Sequence, residues 1–470
     1  MNYRVKLIII FIFAFIIRAG ILMRHHHTYY VSGLTQGLLT RNIVEGRGLV
    51  VGEKESTMLC KLQEEKKRLV DISEITNFED DIYHPQIFDM PGYGILLAGI
   101  WKLTNKYRYI YVQVLQVLID SLMVFLLFFI VKDLFGEKSA LITSFLYSIY
   151  LPQAFLSVHP LRDCWPMFIG ITVIYLIIQY VKHPRFLLPF LVGLIIGIGA
   201  YLRPNVLYLA IFCAIFAVLY LGKKRAVRLA LISSIVVIFL LLPWWARNYR
   251  IYHKFIPLSA NFGAAFWGGL GIVSNPYGFE YSDAAADKYV QKVGYTYEYG
   301  TPEFSSVLLN RALEVIKIHP IFYLKTIVYR IPKALFPGIP WGIEPKDFSF
   351  VPKWSFHLWQ EVTGRGLMDY AKAHPFIFSY KLARRGITVI LFSLALLGFW
   401  LKRKEWAKGL LLISVPLYFI LIHSTLSYPN DRYVLSGTWV YLVFSAVFIE
   451  NLLERWKSSR QAQFEVAKKE

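Results

Sequence analysis

Apolar runs long enough to cross a bilayer recur along nearly the whole chain, and they decide what it can fold into. Runs of roughly 17–25 residues, the length a helix needs to span the hydrocarbon, fall near 6–23, 109–131, 139–158, 164–181, 186–202, 205–221, 229–246, 386–401, 409–423 and 433–451. A mean hydropathy of +0.46 and a hydrophobic share of 56% place the chain outside the soluble class. The expected fold class is an all-α polytopic membrane protein with about ten or more transmembrane helices. The first run, "KLIIIFIFAFIIRAGILM", lacks a small-residue cleavage site and is interrupted by Arg18, so it is expected to remain as a helix.

The formal net charge is +20. Its distribution argues against nucleic acid, because the basic residues lie in short clusters between apolar runs, as membrane topology and anionic lipid require. Alternate connections hold Arg4 and Lys6, Lys132 and Lys138, Lys182 and Arg185, "GKKRAVR" (222–228), "KRKEWAK" (402–408) and "RWKSSRQAQ" (455–463). By the positive-inside rule this side is cytoplasmic, and both termini are expected there. The opposite face then carries two long segments, 24–108 and 247–385. The first contains "MPGYGILLAGIWKLT", read as a short helix lying on the membrane. The second contains "VLLNRALEVIKIHPIFYLKTIVYRI", whose apolar residues at helical spacing suit an interfacial helix, and "LFPGIPWGIEP", a turn or loop. No internal repeat is visible. The chain, 1–470, is read as one membrane body with two structured extracytoplasmic segments and a basic cytoplasmic tail, 452–470.

Within this frame the stretch "HPLRDCWPMF" places Arg162 and Asp163 in a turn at the outer bilayer edge, where charges usually mark a site. Three more arginines stand at outer helix ends: Arg203 in "YLRPNV", Arg247 in "PWWARNY" and Arg432 in "PNDRYV". A single such arginine would snorkel to lipid headgroups. Four on the face that the positive-inside rule leaves poor in arginine point to an anion site, because the guanidinium fork suits phosphate. His84 and His159, each beside a proline in an outer turn, are further polar candidates for phosphate binding or proton transfer. The cysteines Cys60, Cys164 and Cys213 have no metal spacing. No paired carboxylates suggest a metal, and no cofactor is expected.

Taken in order, several stretches resemble the membrane glycosyltransferases of the dolichyl-phosphate-mannose-protein mannosyltransferase superfamily, which includes the bacterial aminoarabinose transferases and has the GT-C fold. They are "SGLTQGLLTRNIVEGRGLV", "DMPGYGILLAGIWKL", "SIYLPQAFLSVHPLRDCW", "YLRPNVLYL", "LPWWARNYRIYHKFIPLSANFGAAFWGG", "ALEVIKIHPIFYLKTIVYRI" and "NDRYVL". The resemblance implies a polyprenyl-phosphate-linked sugar donor and transfer to an extracytoplasmic glycan, lipid or protein acceptor, with inversion at the anomeric carbon. Such a transfer needs a carboxylate near the acceptor hydroxyl and cations for the departing phosphate.

The chain departs from that family's pattern in two places, one of them before the Pro-x-Tyr, where members often have a basic residue and this chain has Asp89. Members often carry an acid just after the first helix, but here the stretch is "YYVSGLTQGLL". Asp163 is therefore the first choice for the base, with Asp89 and Glu45 as alternatives, and Arg162, Arg203, Arg247 and Arg432 are expected to hold the donor phosphate. Two other readings stay open: a transporter or flippase of lipid-linked glycan, which would call for repeats and helices broken at mid-membrane, and a catalytically inactive relative acting in envelope assembly. Tyr93 and Trp245 are expected in the interfacial aromatic belt. The topology is testable by cysteine accessibility. A cysteine at position 280 should label from outside in intact cells; labelling only after the membrane is breached would reverse the orientation.

Overall fold

The computed structural model describes residues 2–26, 34–66, 69–75, 80–295, 300–339 and 375–467, with positions 78, 369 and 372. The described residues are helical almost throughout. Helix α1 (Tyr3–His25) leads to a first lobe of α2 (Leu34–Val44), β1 (Val50–Gly52), α3 (Glu53–Lys66), β2 (Tyr83–Pro85) and α4 (Gly92–Thr104). The body follows with α5 (Ile110–Phe135), α6 (Glu137–Ser148), α7 (Leu151–Ser157), α8 (Trp165–Lys182), α9 (Leu187–Leu202), α10 (Leu209–Leu221) and α11 (Lys223–Tyr252). A second lobe holds α12 (Phe262–Leu270), α13 (Asp283–Lys292), α14 (Pro302–Ile318) and α15 (Pro320–Leu335), before α16 (Pro375–Leu401), α17 (Trp406–Thr425) and α18 (Trp439–Ala467) return to the body.

Among the described residues seven helices are long and apolar enough to cross a membrane, and nine if two bent pairs each count as one span. The tenth run, α9, has 16 residues, roughly 24 Å of helix. Each run read from the sequence coincides with one of these elements. The run 139–158 is not straight: α6 and α7 meet at 56°. The cause is Pro152, in the first turn of α7, which has no N–H to donate to the Ser148 carbonyl one turn back. Likewise the segment 307–331 is two helices rather than one, parted at His319 by Pro320.

The core of the body is apolar and continuous, built from residues such as Leu127, Phe128, Ile174, Val415 and Trp439. Close approach of α9 to α11 depends on a small residue: a Cβ on Gly193 would lie 2.7 Å from the Ser233 carbonyl oxygen. The two lobes have cores of their own. Leu38, Leu59, Ile72, Tyr93, Leu97 and Trp101 pack the first. Phe266, Trp267, Phe279, Phe304 and Leu308 pack the second. The antiparallel pair β1–β2, with Val51 opposite His84, and the buried Arg41–Glu55 ion pair at 2.6 Å hold the first lobe together. Tyr93 belongs to that core, with its hydroxyl donating to Gln116 Oε1 at 2.9 Å, instead of to an interfacial belt. Trp245 donates to the Pro257 carbonyl at 2.8 Å.

Candidate active site

Three breaks in the helical pattern bring charge to one end of the bundle. After α7 the chain turns through 158–161 into a single 3-10 turn, Arg162–Cys164, that opens α8. At the end of α9, Pro204 stops the helix and leaves Arg203 extended, at φ −149° and ψ 110°. After α17, Asn430 caps a one-turn helix, accepting from the Arg432 N–H at 3.3 Å, and so fixes Arg432.

The three meet on Asp163. Its Oδ1 lies 2.9 Å from Arg203 Nη2 and its Oδ2 3.7 Å from Arg432 Nη1. Both guanidiniums also lie over the ring of Tyr433, with Cζ 4.4 Å and 5.0 Å from its centroid, and Arg432 donates to the Tyr433 hydroxyl at 3.0 Å. Below them Asn205 and Ser427 bracket His423, at 3.2 Å and 3.0 Å. The loop carrying Arg432 is pinned from the second lobe, where the buried Arg330 donates to the Ser424 and Ser427 carbonyls at 3.1 Å each. Arg385 faces Asp431 at 3.2 Å.

Arg162 does not pair with its neighbour Asp163. It reaches across to Asp89 Oδ1 at 2.6 Å, and Gln36 donates to the other oxygen of that carboxylate at 3.3 Å. Asp89 stands just before α4, which can approach α9 only because residue 92 is glycine: a Cβ there would lie 2.5 Å from the Tyr201 backbone. All five charged side chains, Asp89, Arg162, Asp163, Arg203 and Arg432, are at most 12% exposed. At such burial each charge needs a partner, yet among the described residues three guanidiniums face two carboxylates. Counted over the described residues the cluster carries one surplus positive charge, and Arg162 Nη1 is buried without a hydrogen-bond partner among them.

The other sequence candidates lie elsewhere. Arg247 donates to Asn248 Oδ1 at 2.9 Å and to the Leu49 carbonyl at 3.2 Å, over the Trp244 ring, so it secures the first lobe and does not join Arg203 and Arg432. Glu45 pairs with Arg47. His84 pairs with Glu53 at 2.5 Å on an exposed edge. His159 is buried in the turn before Arg162, its Nδ1 2.6 Å from the Phe155 carbonyl. Among the described residues no three His, Cys, Asp or Glu side chains come together as metal ligands. Residues 27–33, which include the first five residues of the acid-free stretch after α1, lie outside the described residues, as does "LFPGIPWGIEP" from residue 340 onward. The sequence reading passed over Gln36, His423 and Tyr433. Tyr433 could have been found from its place directly after Arg432; Gln36 and His423 carry no local signal.

This geometry can be set beside known proteins. Residues 84–246 match the family model described as dolichyl-phosphate-mannose-protein mannosyltransferase, a stretch that holds Asp89, Arg162, Asp163 and Arg203. Solved structures of an oligosaccharyltransferase from Archaeoglobus fulgidus superpose over nearly the whole chain. One, tethered to an acceptor peptide, has a TM-score of 0.51 at 11% identity and covers 96% of this chain and 50% of the other. Another, the archaeal AglB with an inhibitory peptide and a dolichol-phosphate, has a TM-score of 0.51 at 12% identity, covering 98% and 52%. The chain shares the GT-C fold of these structures. It spans about half the length of these oligosaccharyltransferases. No curated protein sequence matches it. The GT-C body here is thus assembled from α1 and α5–α11 with α16–α18, and its charged cluster sits where these helices break.

A pH dependence follows from His159. Burial is the main cause that pushes its imidazole down from the ordinary 6.5 to about 4, with repulsion from His25 and Arg432 added. The unfolded ring takes up a proton near pH 6.5 while the folded ring does not, so stability is lost as pH falls from 6.5 toward 4. The loss is at most roughly 3 kcal/mol. Thermal unfolding of His159→Gln should lack this component over the same range; wild type and variant losing stability in parallel would assign the acid sensitivity to another group.

Proposed function

We propose that the chain is a membrane glycosyltransferase that moves a sugar from a polyprenyl-phosphate donor to an acceptor hydroxyl on the extracytoplasmic side, with inversion. The observation that carries this reading is the convergence of buried Arg162, Arg203 and Arg432 on Asp89 and Asp163, three cations to two carboxylates among the described residues. A buried cluster short of one negative charge is completed by an anion, and a lipid phosphate supplies one at the end of a transmembrane bundle. The archaeal neighbour solved with a dolichol-phosphate supports the same donor class. The acceptor, whether glycan, lipid or protein, is expected to enter between the two outer lobes.

In this account the donor phosphate recruits Arg203 and Arg432, with Arg162 beside them. The acceptor oxygen attacks the anomeric carbon from the face opposite the phosphate, the bond from that carbon to the phosphate oxygen breaks, and both bonding electrons leave with the polyprenyl phosphate. The guanidiniums meet the charge that develops on it. The hydroxyl proton passes to Asp163, which has given up its cation partners to the phosphate. Asp89, held by Arg162 and Gln36, keeps Arg162 in place. The first-loop acid is thereby replaced by a carboxylate from the turn before α8.

The test is an assay of purified protein or extracted membranes with labelled polyprenyl-phosphate sugars. General-base assistance is worth roughly a hundred- to ten-thousand-fold, so Asp163→Asn should lower kcat by about that factor, while donor binding is retained. Glu45→Gln, paired with Arg47 away from the cluster, should stay within about twofold of wild type, as surface changes usually do. Full activity in Asp163→Asn together with loss in Asp89→Asn would move the base to Asp89. Loss in Glu45→Gln alone would move the site into the first lobe.

A further inference from the structure

The bundle holds a second set of buried charges that the transfer reading does not use. Arg18 of α1 and Asp120 of α5 form an ion pair with side chains 0% and 2% exposed. Asp120 lies ten residues into α5, roughly 15 Å from its outer end. Charges at that depth are costly and need a reason.

Their contacts converge on the break between α6 and α7. Pro152 cannot donate to the Ser148 carbonyl, and an unsatisfied backbone group inside a bilayer is strongly unfavourable. Arg18 Nη1 donates to that carbonyl at 3.0 Å, and Nη2 to the Tyr147 carbonyl at 3.3 Å. Asp120 neutralises Arg18 and ties the two halves of the bent span: its Oδ1 accepts from the Tyr147 hydroxyl in α6 at 2.6 Å and from Gln153 in α7 at 2.8 Å. The same face of α5 continues outward one and two turns. Gln116 donates to the Ser157 and His159 carbonyls at 3.0 Å and 2.6 Å, and Gln113 donates to the Val158 carbonyl at 2.7 Å. Four residues after His159 comes Asp163.

We propose that the polar face of α5, Gln113, Gln116 and Asp120, with Asp120 paired to Arg18, is a rail that sets the position of the turn bearing Arg162 and Asp163. Asp120 is on this account a positioning residue, not a catalytic one. That it positions a base rests on the transfer reading; that it positions the turn does not.

Cys164, directly after Asp163, serves as a native reporter. It is buried, as is Cys213 in the body, whereas Cys60 is exposed. In the purified full chain, N-ethylmaleimide labelling of each cysteine is followed by mass spectrometry. Arg18→Met with Asp120→Leu removes the charges together, an exchange that proteins often tolerate. Gln153→Leu cuts only the link to α7. In both, Cys164 should label roughly tenfold faster or more, the local opening expected from losing hydrogen bonds to a charged group, while Cys213 stays protected. Where the double variant exposes Cys213 as well, Gln153→Leu decides. Labelling of Cys164 at the wild-type rate with Cys213 protected, in either variant, overturns the rail. In the transfer assay, kcat of Gln153→Leu should fall about tenfold or more from misplacement of Asp163 with donor KM nearly unchanged; an equal loss in both would indicate general loosening and contradict a positioning role. If Cys164 is exposed as expected but wild type transfers no polyprenyl-phosphate sugar, the rail stands and the transfer reading falls.

Discussion

The carboxylate of Asp163 between two guanidiniums is the contact on which the outer end of the bundle depends. Neither arginine could stay buried at its helix end without a counter-charge, and each arrives from a different part of the chain. Arg203 comes from the end of α9 and Arg432 from the turn between α17 and α18. Taking Asp163 away would leave two like charges facing each other over the Tyr433 ring. The ion pair thereby joins the helices that follow the first lobe to those that follow the second.

Around this contact the polar groups are arranged in tiers. Asp89 and Arg162 lie toward the first lobe, Arg330 fixes the Arg432 loop from the second, and Arg18 and Asp120 lie deeper, at the break in the third span. The tiers differ in charge. The deep pair is neutral and fully satisfied, as a structural element should be. The Asp163 cluster has, among the described residues, one guanidinium more than it has carboxylates, and on the proposed reading that surplus is the donor phosphate's place.

Much of this was legible in the sequence because a bilayer imposes a simple code. Span length is read directly from composition, and arginines at the ends of apolar runs stand out. Arg162, Asp163, Arg203 and Arg432 were found that way. What could not be read is which of these charges meet. Arg162 pairs with Asp89, 73 residues earlier, and not with the adjacent Asp163, because a 3-10 turn directs the two side chains apart. Arg247 has the same aromatic and helix-end surroundings as the others, yet it is spent on the Leu49 carbonyl. Asp120 was hidden inside an apolar run, where a single acid looks like an interruption until the broken helix beside it is known.

The central claim is that Arg203 and Arg432 receive a lipid phosphate, and equilibrium binding of a polyprenyl monophosphate to the purified protein tests it most directly. Arg203→Gln and Arg432→Gln should each weaken binding about ten- to a hundredfold, the usual effect of removing a charge-assisted hydrogen bond. Arg247→Gln should leave it within about twofold of wild type, and the unphosphorylated polyprenol should not distinguish the three from wild type. Undiminished binding in Arg203→Gln and Arg432→Gln, or an equal loss in Arg247→Gln, would contradict the account.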